Sequence, residues 1–315
     1  MRIIFAGTPE DAVFVLEALA DSNHEVCAVL TQPDRPKGRG RKSAPPPVKE
    51  FALKRGIPVL QPGKVNSPET LAEIEKISPD VAVIAFYGRI IGAKLLAVPE
   101  HGWLNVHPSL LPKYRGPSPV PSAILGGDEE TGVTIIKLDA EMDHGPVLLQ
   151  MNLPIGENEN AGELLTHLAK IGAEMTLHAL DLVGSGEAGF TPQRHEVATF
   201  TTTFTKQKGM VNWSAGNLHN FVRAMTPWPG AHAKLHVNAT KNDVDLIISR
   251  TKISAESTSA KVAPGTIVAL FPEGILVEDG RGETLITSVK PSGKKEMPAK
   301  DFANGYRVRV GDRFT

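Results

Sequence analysis

Cysteine, tryptophan and tyrosine are scarce in this sequence, long apolar runs are missing, and neither sign of charge prevails. Each shortage closes a route. One cysteine among 315 residues cannot form an internal disulfide, so a stapled scaffold is excluded. That residue, Cys27, lies in the apolar run Val26–Leu30 and reads as a buried strand position rather than a nucleophile. The longest clearly apolar run, Val81 to Phe86, falls far short of the ~20 residues a membrane helix needs. The opening Met1–Glu10 has too short an apolar stretch for a secretory signal, and the expectation is a soluble, cytoplasmic protein without a membrane partner. The turn Ala6-Gly-Thr-Pro-Glu10 has a single glycine and lacks the other two of a dinucleotide fingerprint, so a nicotinamide cofactor has no evident seat. No Gly-x-Ser-x-Gly elbow points to a serine hydrolase. His107, His144 and nearby acids offer a metal site only on paper, because no His-Glu-x-x-His or paired-cysteine spacing supports one; no metal is expected.

What is present is ordinary globular composition, 41% apolar and 22% charged, in a chain long enough for two domains. Strand-like runs at 2–6, 26–30, 57–60, 80–86 and 102–107 alternate with helical stretches near 9–20, 46–55 and 68–77. Thr8-Pro9-Glu10-Asp11 reads as a helix start with a hydroxyl cap, and Val13, Leu16, Leu19 and Ala20 as that helix's buried stripe. Such alternation predicts a mostly parallel α/β sheet of Rossmann-like type, extended by strands at 132–138 and 146–153 and closed by a helix over 160–184. Residues 1–189 form this expected domain and 190–206 a linker. Residues 207–315 then read as one helix, 214–225, followed by short strands at 231–237, 244–249, 265–271, 274–278, 283–289 and 306–310, which suggests a small OB-like β-barrel.

The near-zero net charge hides an asymmetry. Residues 1–200 hold 18 basic and 25 acidic side chains, whereas 201–315 hold 16 and 10. Within the acidic part, Asp34–Lys42 concentrates Arg35, Lys37, Arg39, Arg41 and Lys42 against one acid. An acidic catalytic body beside surfaces suited to a polyanion fits this distribution. The glycines and prolines of 34–47 disfavour both helix and strand, so this loop is expected to be mobile until phosphates order it.

The densest chemistry lies in Leu104-Asn-Val-His-Pro-Ser-Leu-Leu-Pro-Lys-Tyr-Arg-Gly116. Asn105 and His107 are two apart in a strand, hence on one face, and Pro108 places them at the strand's C-terminal end, where open α/β sheets bind ligands. An amide and an imidazole side by side can stabilise an oxygen that gains negative charge. A carboxylate partner is expected from Asp139, Glu141 or Asp143, among which spacing does not choose.

Asn105-Val-His-Pro-Ser-Leu-Leu-Pro112 followed by Asp143-x-Gly145 resembles the 10-formyltetrahydrofolate-dependent formyltransferases. The opening Arg2–Pro9, the basic loop 31–40 and Pro227-Trp-Pro-Gly230 resemble in particular the methionyl-tRNA formyltransferases, over nearly the whole chain. The resemblance implies Asn105, His107 and Asp143 as the catalytic set, and Ser109, Leu110, Leu111 and Pro112 as folate contacts. It implies 10-formyltetrahydrofolate as formyl donor and initiator methionyl-tRNA as acceptor. Arg35, Lys37, Arg39, Arg41 and Lys42 would then meet tRNA, and the default state is a monomer. The chain departs from the pattern at Pro117-Ser-Pro-Val-Pro-Ser122, where the family has a more helical run, and at Asp11, where an aromatic residue is expected. Formyltransferases acting on glycinamide ribonucleotide or on sugar nucleotides share the chemistry, but need neither the basic second domain nor the basic loop.

Overall fold

The computed structural model describes residues 1–37, 42–254 and 262–315, in two compact units. The first comprises Met1–Pro119, Glu130–Pro154 and Leu165–Thr202. Its elements begin with β1 (Arg2–Gly7), α1 (Glu10–Ala20), β2 (Glu25–Leu30), β3 (Arg35–Lys37), β4 (Lys42–Ala44), α2 (Pro47–Lys54) and β5 (Val59–Leu60). They continue with α3 (Pro68–Ile77), β6 (Val81–Ala85), α4 (Ala93–Leu96) and β7 (Trp103–His107), then, after α5 (Pro119–Gly126), which from Val120 groups with the second unit, with β8 (Glu130–Lys137), β9 (Val147–Pro154) and α6 (Ala161–Ser185), which belongs to the first unit from Leu165. The sheet order is β5-β2-β1-β6-β7-β8-β9, parallel as far as β7 and antiparallel from β7 to β9. Strand β6 and, from Ile3 onward, strand β1 are buried because helices cover both faces, which is why they read as apolar runs. The ends of the strands are laced together where the sheet order reverses. The carbonyl of Tyr87, just past β6, accepts from Thr8 Oγ1 at 3.1 Å and Gln32 Nε2 at 2.8 Å.

Several local expectations need correction. Thr8 does not cap α1: its hydroxyl is spent on Tyr87, and the capping position is Pro9 with no side-chain bond. The buried stripe of α1 is Ala12, Val15, Leu16 and Leu19, so Val13 and Ala20 sit at its margins. Residues 119–126 are helical despite their prolines. Pro119 and Pro121 fall in the first turn, where an N–H has no intrahelical partner to lose. The basic loop is not free of strand: Arg35–Lys37 pairs antiparallel with Lys42–Ala44 in the register Arg35↔Ala44, Pro36↔Ser43, Lys37↔Lys42.

The second unit comprises Val120–Glu129, Ile155–Leu164 and Thr203–Thr315. It contains α7 (Leu218–Met225), β10 (Ala231–Val237), β11 (Asn242–Ile253), β12 (Ile267–Phe271), β13 (Gly274–Glu278), β14 (Glu283–Pro291), β15 (Met297–Pro298), α8 (Ala299–Tyr306) and β16 (Arg313–Phe314). The strands run in the order β12-β13-β14-β11-β10-β16, all neighbours antiparallel, and β15 pairs with β14. An antiparallel bridge, Thr266↔Arg313, joins the two ends of this path, so the sheet curls into a barrel-like form. The strand expected at 306–310 is absent. The chain there leaves α8 through Arg307 in a left-handed conformation, and α8 itself buries Ala299, Phe302 and Ala303. The helix expected from 214 begins only at Leu218.

Candidate active site

Strand β7 carries Asn105 and His107 out of the same face at its C-terminal end, paired with Ile136 and Thr134 of β8. Its other neighbours are close: a Cβ added to Gly172 of α6 would come within 2.6 Å of Val106 Cγ1. Helix α6 therefore fixes β7 from the opposite face. His107 is buried and Asn105 half-buried.

The carboxylate left open by spacing is Asp143. Its Oδ1 accepts from Asn105 Nδ2 at 3.3 Å and lies 3.6 Å from His107 Nδ1. Its Oδ2 accepts from the Gly116 backbone N–H at 2.7 Å. The second imidazole nitrogen, Nε2, stands 3.1 Å from the Tyr114 carbonyl. Both ring nitrogens thus face oxygen acceptors, which fix the plane of the ring. The 3.6 Å gap is longer than a hydrogen bond. Asp139 and Glu141 turn elsewhere, toward His144: Asp139 Oδ2 is 2.6 Å from its Nδ1 and Glu141 Oε1 4.0 Å from its Nε2.

Two glycines make this arrangement possible. Gly116 has φ +109, and a Cβ there would lie 2.9 Å from the Thr201 carbonyl. A Cβ on Gly145 would overlap the Lys137 carbonyl. Asp143 itself takes φ +50, a conformation aspartate tolerates better than most side chains.

The segment Ser109–Pro112 is held by one hydroxyl. Thr134 Oγ1, fully buried, donates to Ser109 O at 2.6 Å and accepts from Leu111 N at 3.2 Å and Gln150 Nε2 at 2.9 Å. Ser109 is buried, with its own hydroxyl donating to Lys113 O at 2.7 Å, and Leu111 O accepts from Gln150 Nε2 at 2.9 Å. Leu110 and Pro112 remain half-exposed. Tyr87 belongs to the core cluster with Ile4, Ala6, Ile84 and Trp103, and burial pushes its phenol up to about 12.

Sequence reasoning missed the backbone N–H of Gly116 and the hydroxyl of Thr134. Only the position of Gly116 beside the Asn-x-His stretch hinted at a role. Of the basic loop, Arg35 is exposed and donates to Gln32 Oε1 at 2.6 Å. Lys37 and Lys42 are placed by their backbones alone, whereas Arg39 and Arg41 lie outside the described residues. Among the described residues no group of three or more His, Cys, Asp or Glu is placed to hold a metal ion, and no helix is long and apolar enough to cross a membrane.

The chain has counterparts among known proteins. The formyl transferase family matches residues 1–180 and its C-terminal domain matches residues 203–307, and the chain belongs to that family. Its relatives along the full length are methionyl-tRNA formyltransferases. That of Roseiflexus castenholzii is 42% identical, with 99% of this chain and 98% of that protein aligned. That of Nitrosospira multiformis is 40% identical, with 100% and 99% aligned. Among solved structures, the N-formyltransferase of Helicobacter canadensis, determined with folinic acid and dTDP-3-aminofucose, superposes with a TM-score of 0.65 at 18% identity, over 94% of this chain and 99% of that one. HypX from Aquifex aeolicus, in complex with tetrahydrofolic acid, gives 0.62 at 20% identity over 98% of this chain and 48% of that one. These two share the fold.

Proposed function

We propose that the protein transfers a formyl group from 10-formyltetrahydrofolate to the α-amino group of methionine on initiator tRNA, giving N-formylmethionyl-tRNA for translation initiation. The observation that carries this reading is the Asp143 carboxylate, held between Asn105 and His107 at the C-terminal edge of β7, in a chain alike over its whole length to methionyl-tRNA formyltransferases. Sugar-nucleotide formyltransferases share the fold, but the full-length similarity at about 40% identity lies with the tRNA enzymes.

The residues present fit a folate. Its flat, amide-like ring system needs exposed backbone groups and apolar contact. The chain after β6 offers the first, with Phe86 and Gly88 in left-handed conformations and Arg89 and Ile90 exposed; half-exposed Leu110 and Pro112 offer the second. Bound there, the folate supplies the formyl carbon on which the amine acts. Asn105 has a second amide N–H beyond the one Asp143 takes, and it donates to the formyl oxygen as negative charge develops. His107, as an imidazolium with Nε2–H on the Tyr114 carbonyl, gives the second hydrogen bond from Nδ1–H, which at 3.6 Å from Asp143 is not hydrogen-bonded to it. Asp143 accepts the proton the amine must lose and returns it to N10 of the departing tetrahydrofolate as the bond from N10 to the formyl carbon breaks. As a translation enzyme the protein acts in the cytoplasm, and as a monomer.

The test is a comparison of Asn105→Ala, His107→Ala and Asp143→Ala with wild type. Turnover on charged tRNA is expected to fall about 10²–10³-fold in each, the usual cost of losing such a donor, while binding of a folate analogue persists. A variant with near-normal turnover removes its residue from the mechanism.

A further inference from the structure

Residues 190–202, most of the linker expected over 190–206, are tied to the first unit at named points. Thr191 and Val147 exchange backbone hydrogen bonds at 2.8 Å. Arg115 N donates to Thr199 O at 2.9 Å and Thr201 N to Arg115 O at 2.7 Å, so the chain 199–201 pairs alongside the residue that precedes Gly116.

Between these ties lies Gln193, buried, with all four hydrogen-bonding positions of its amide occupied. Nε2 donates to Asp143 O at 2.9 Å and Gly145 O at 2.7 Å. Oε1 accepts from Arg115 Nη2 at 2.7 Å and Nε at 3.2 Å. Arginine only donates, so the amide oxygen must face Arg115 and the NH₂ must face the two carbonyls. Arg115 is itself buried and, among the described residues, its guanidinium has no carboxylate partner; its remaining contacts are His195 Nδ1 at 2.8 Å and the Phe200 ring.

The geometry points to Gln193 as a positioning residue for the formyl transfer, acting through Asp143. Its amide clasps the two carbonyls of Asp143-His-Gly145 and holds Asp143 in its left-handed conformation. From that backbone the carboxylate reaches the Gly116 N–H, Asn105 and His107 together. Arg115 sets the orientation of the clasp, and Gly116, the next residue, receives the other end of Asp143. The carboxylate is therefore fixed from its main chain and its side chain by one continuous hydrogen-bonded ring. This inference rests on the catalytic role proposed for Asp143.

The test takes the full-length enzyme with Gln193→Ala and Gln193→Glu, each also combined with Asp143→Ala. In Gln193→Ala, kcat is expected to fall about 10–100-fold, the scale of a 1 Å misplacement, with KM for 10-formyltetrahydrofolate within about threefold of wild type. Gln193→Glu keeps the volume and the contact with Arg115 but cannot donate to the carbonyls, and should lose a similar factor even if the alanine variant is unstable. In the Asp143→Ala background either Gln193 change should cost less than about threefold, because the group it serves is gone. Amide exchange at Gly116, read by NMR without any substrate, should accelerate in both single variants. A kcat within about threefold of wild type in the folded glutamate variant overturns the inference, as does a full additional loss in the Asp143→Ala background. An unchanged Gly116 exchange rate overturns it too. Wild-type formylation of charged tRNA, run in parallel, separates a wrong acceptor from a wrong role for Gln193: the kinetic ratios are read on whichever amine the wild type formylates, and the Gly116 measurement needs none.

Discussion

Asp143 shows how a single side chain acquires contacts that its neighbours lack. Asp139 and Glu141 have the same chemistry within four residues, yet both are turned toward His144, while the left-handed backbone of Asp143 turns its carboxylate onto Asn105, His107 and Gly116. Nothing in the spacing of three acids announces which will take that conformation. The resemblance to formyltransferases selected it, and the hydrogen bonds give the physical reason. Tyr87 is the converse case, a conspicuous aromatic beside the ligand-binding edge that belongs to the core. Burial holds its phenol neutral, pushed up to about 12, and its backbone carbonyl does the visible work by accepting from Thr8 and Gln32. Tyr87→Phe is accordingly expected to leave kcat and the folate KM within about twofold, the range of substitutions that remove no specific contact. Steady-state kinetics check this, and a tenfold rise in the folate KM, about 1.4 kcal/mol, would assign the hydroxyl to the ligand instead.

At the scale of elements, the parallel strands and their helices were legible because burial on both faces leaves runs such as Val81–Ala85 without polar interruption. Helix α3 falls on the stretch expected at 68–77, and Ser67 accepts from the Thr70 N–H at 3.3 Å at its start. What escaped was structure held by single side chains rather than by periodicity. The segment 190–202 has no repeat of apolar residues, and its order comes from Gln193 and two short backbone pairings. The loop 109–112 is likewise ordered by Thr134, whose hydroxyl makes three hydrogen bonds. Thr134→Val preserves shape and removes all three. It is expected to cost about 1–3 kcal/mol of stability, the penalty for buried polar groups left unpaired. The KM for folate should rise with it, measured by urea unfolding and steady-state kinetics. In the second unit, α7 carries His219, whose ring lies 3.0 Å from Thr251 Oγ1 and 2.9 Å from Glu157 O. Burial lowers its pKa below the ordinary 6.5, so the fold prefers the neutral ring. The stability this confers is complete above the unfolded pKa and is lost as pH falls through the folded one. The urea midpoint of wild type should therefore drop between about pH 7.5 and pH 5.5, and the drop should shrink in His219→Gln. An equal drop in both proteins would place the acid sensitivity elsewhere.

On the scale of the whole molecule, the chain does not divide at one point. Segments 120–129 and 155–164 group with the second unit although they fall between stretches of the first, a grouping that strand and helix patterns alone do not reveal. For this reason the division of labour between units is best examined in the full chain rather than in a fragment. The charge is uneven along the chain, −7 over residues 1–200 and +6 over 201–315. A nucleic-acid acceptor fits that unevenness, and a small sugar nucleotide does not require it. The most direct measurement offers the enzyme 10-formyltetrahydrofolate labelled in its formyl group, together with methionyl initiator tRNA, glycinamide ribonucleotide, an amino-sugar nucleotide and free methionine in competition. The account predicts label on the methionyl-tRNA in strong preference to the others, acid-stable as an N-formyl amide and absent from the Asp143→Ala enzyme. Label appearing on the amino-sugar nucleotide or the glycinamide ribonucleotide while charged tRNA stays unmodified would contradict it.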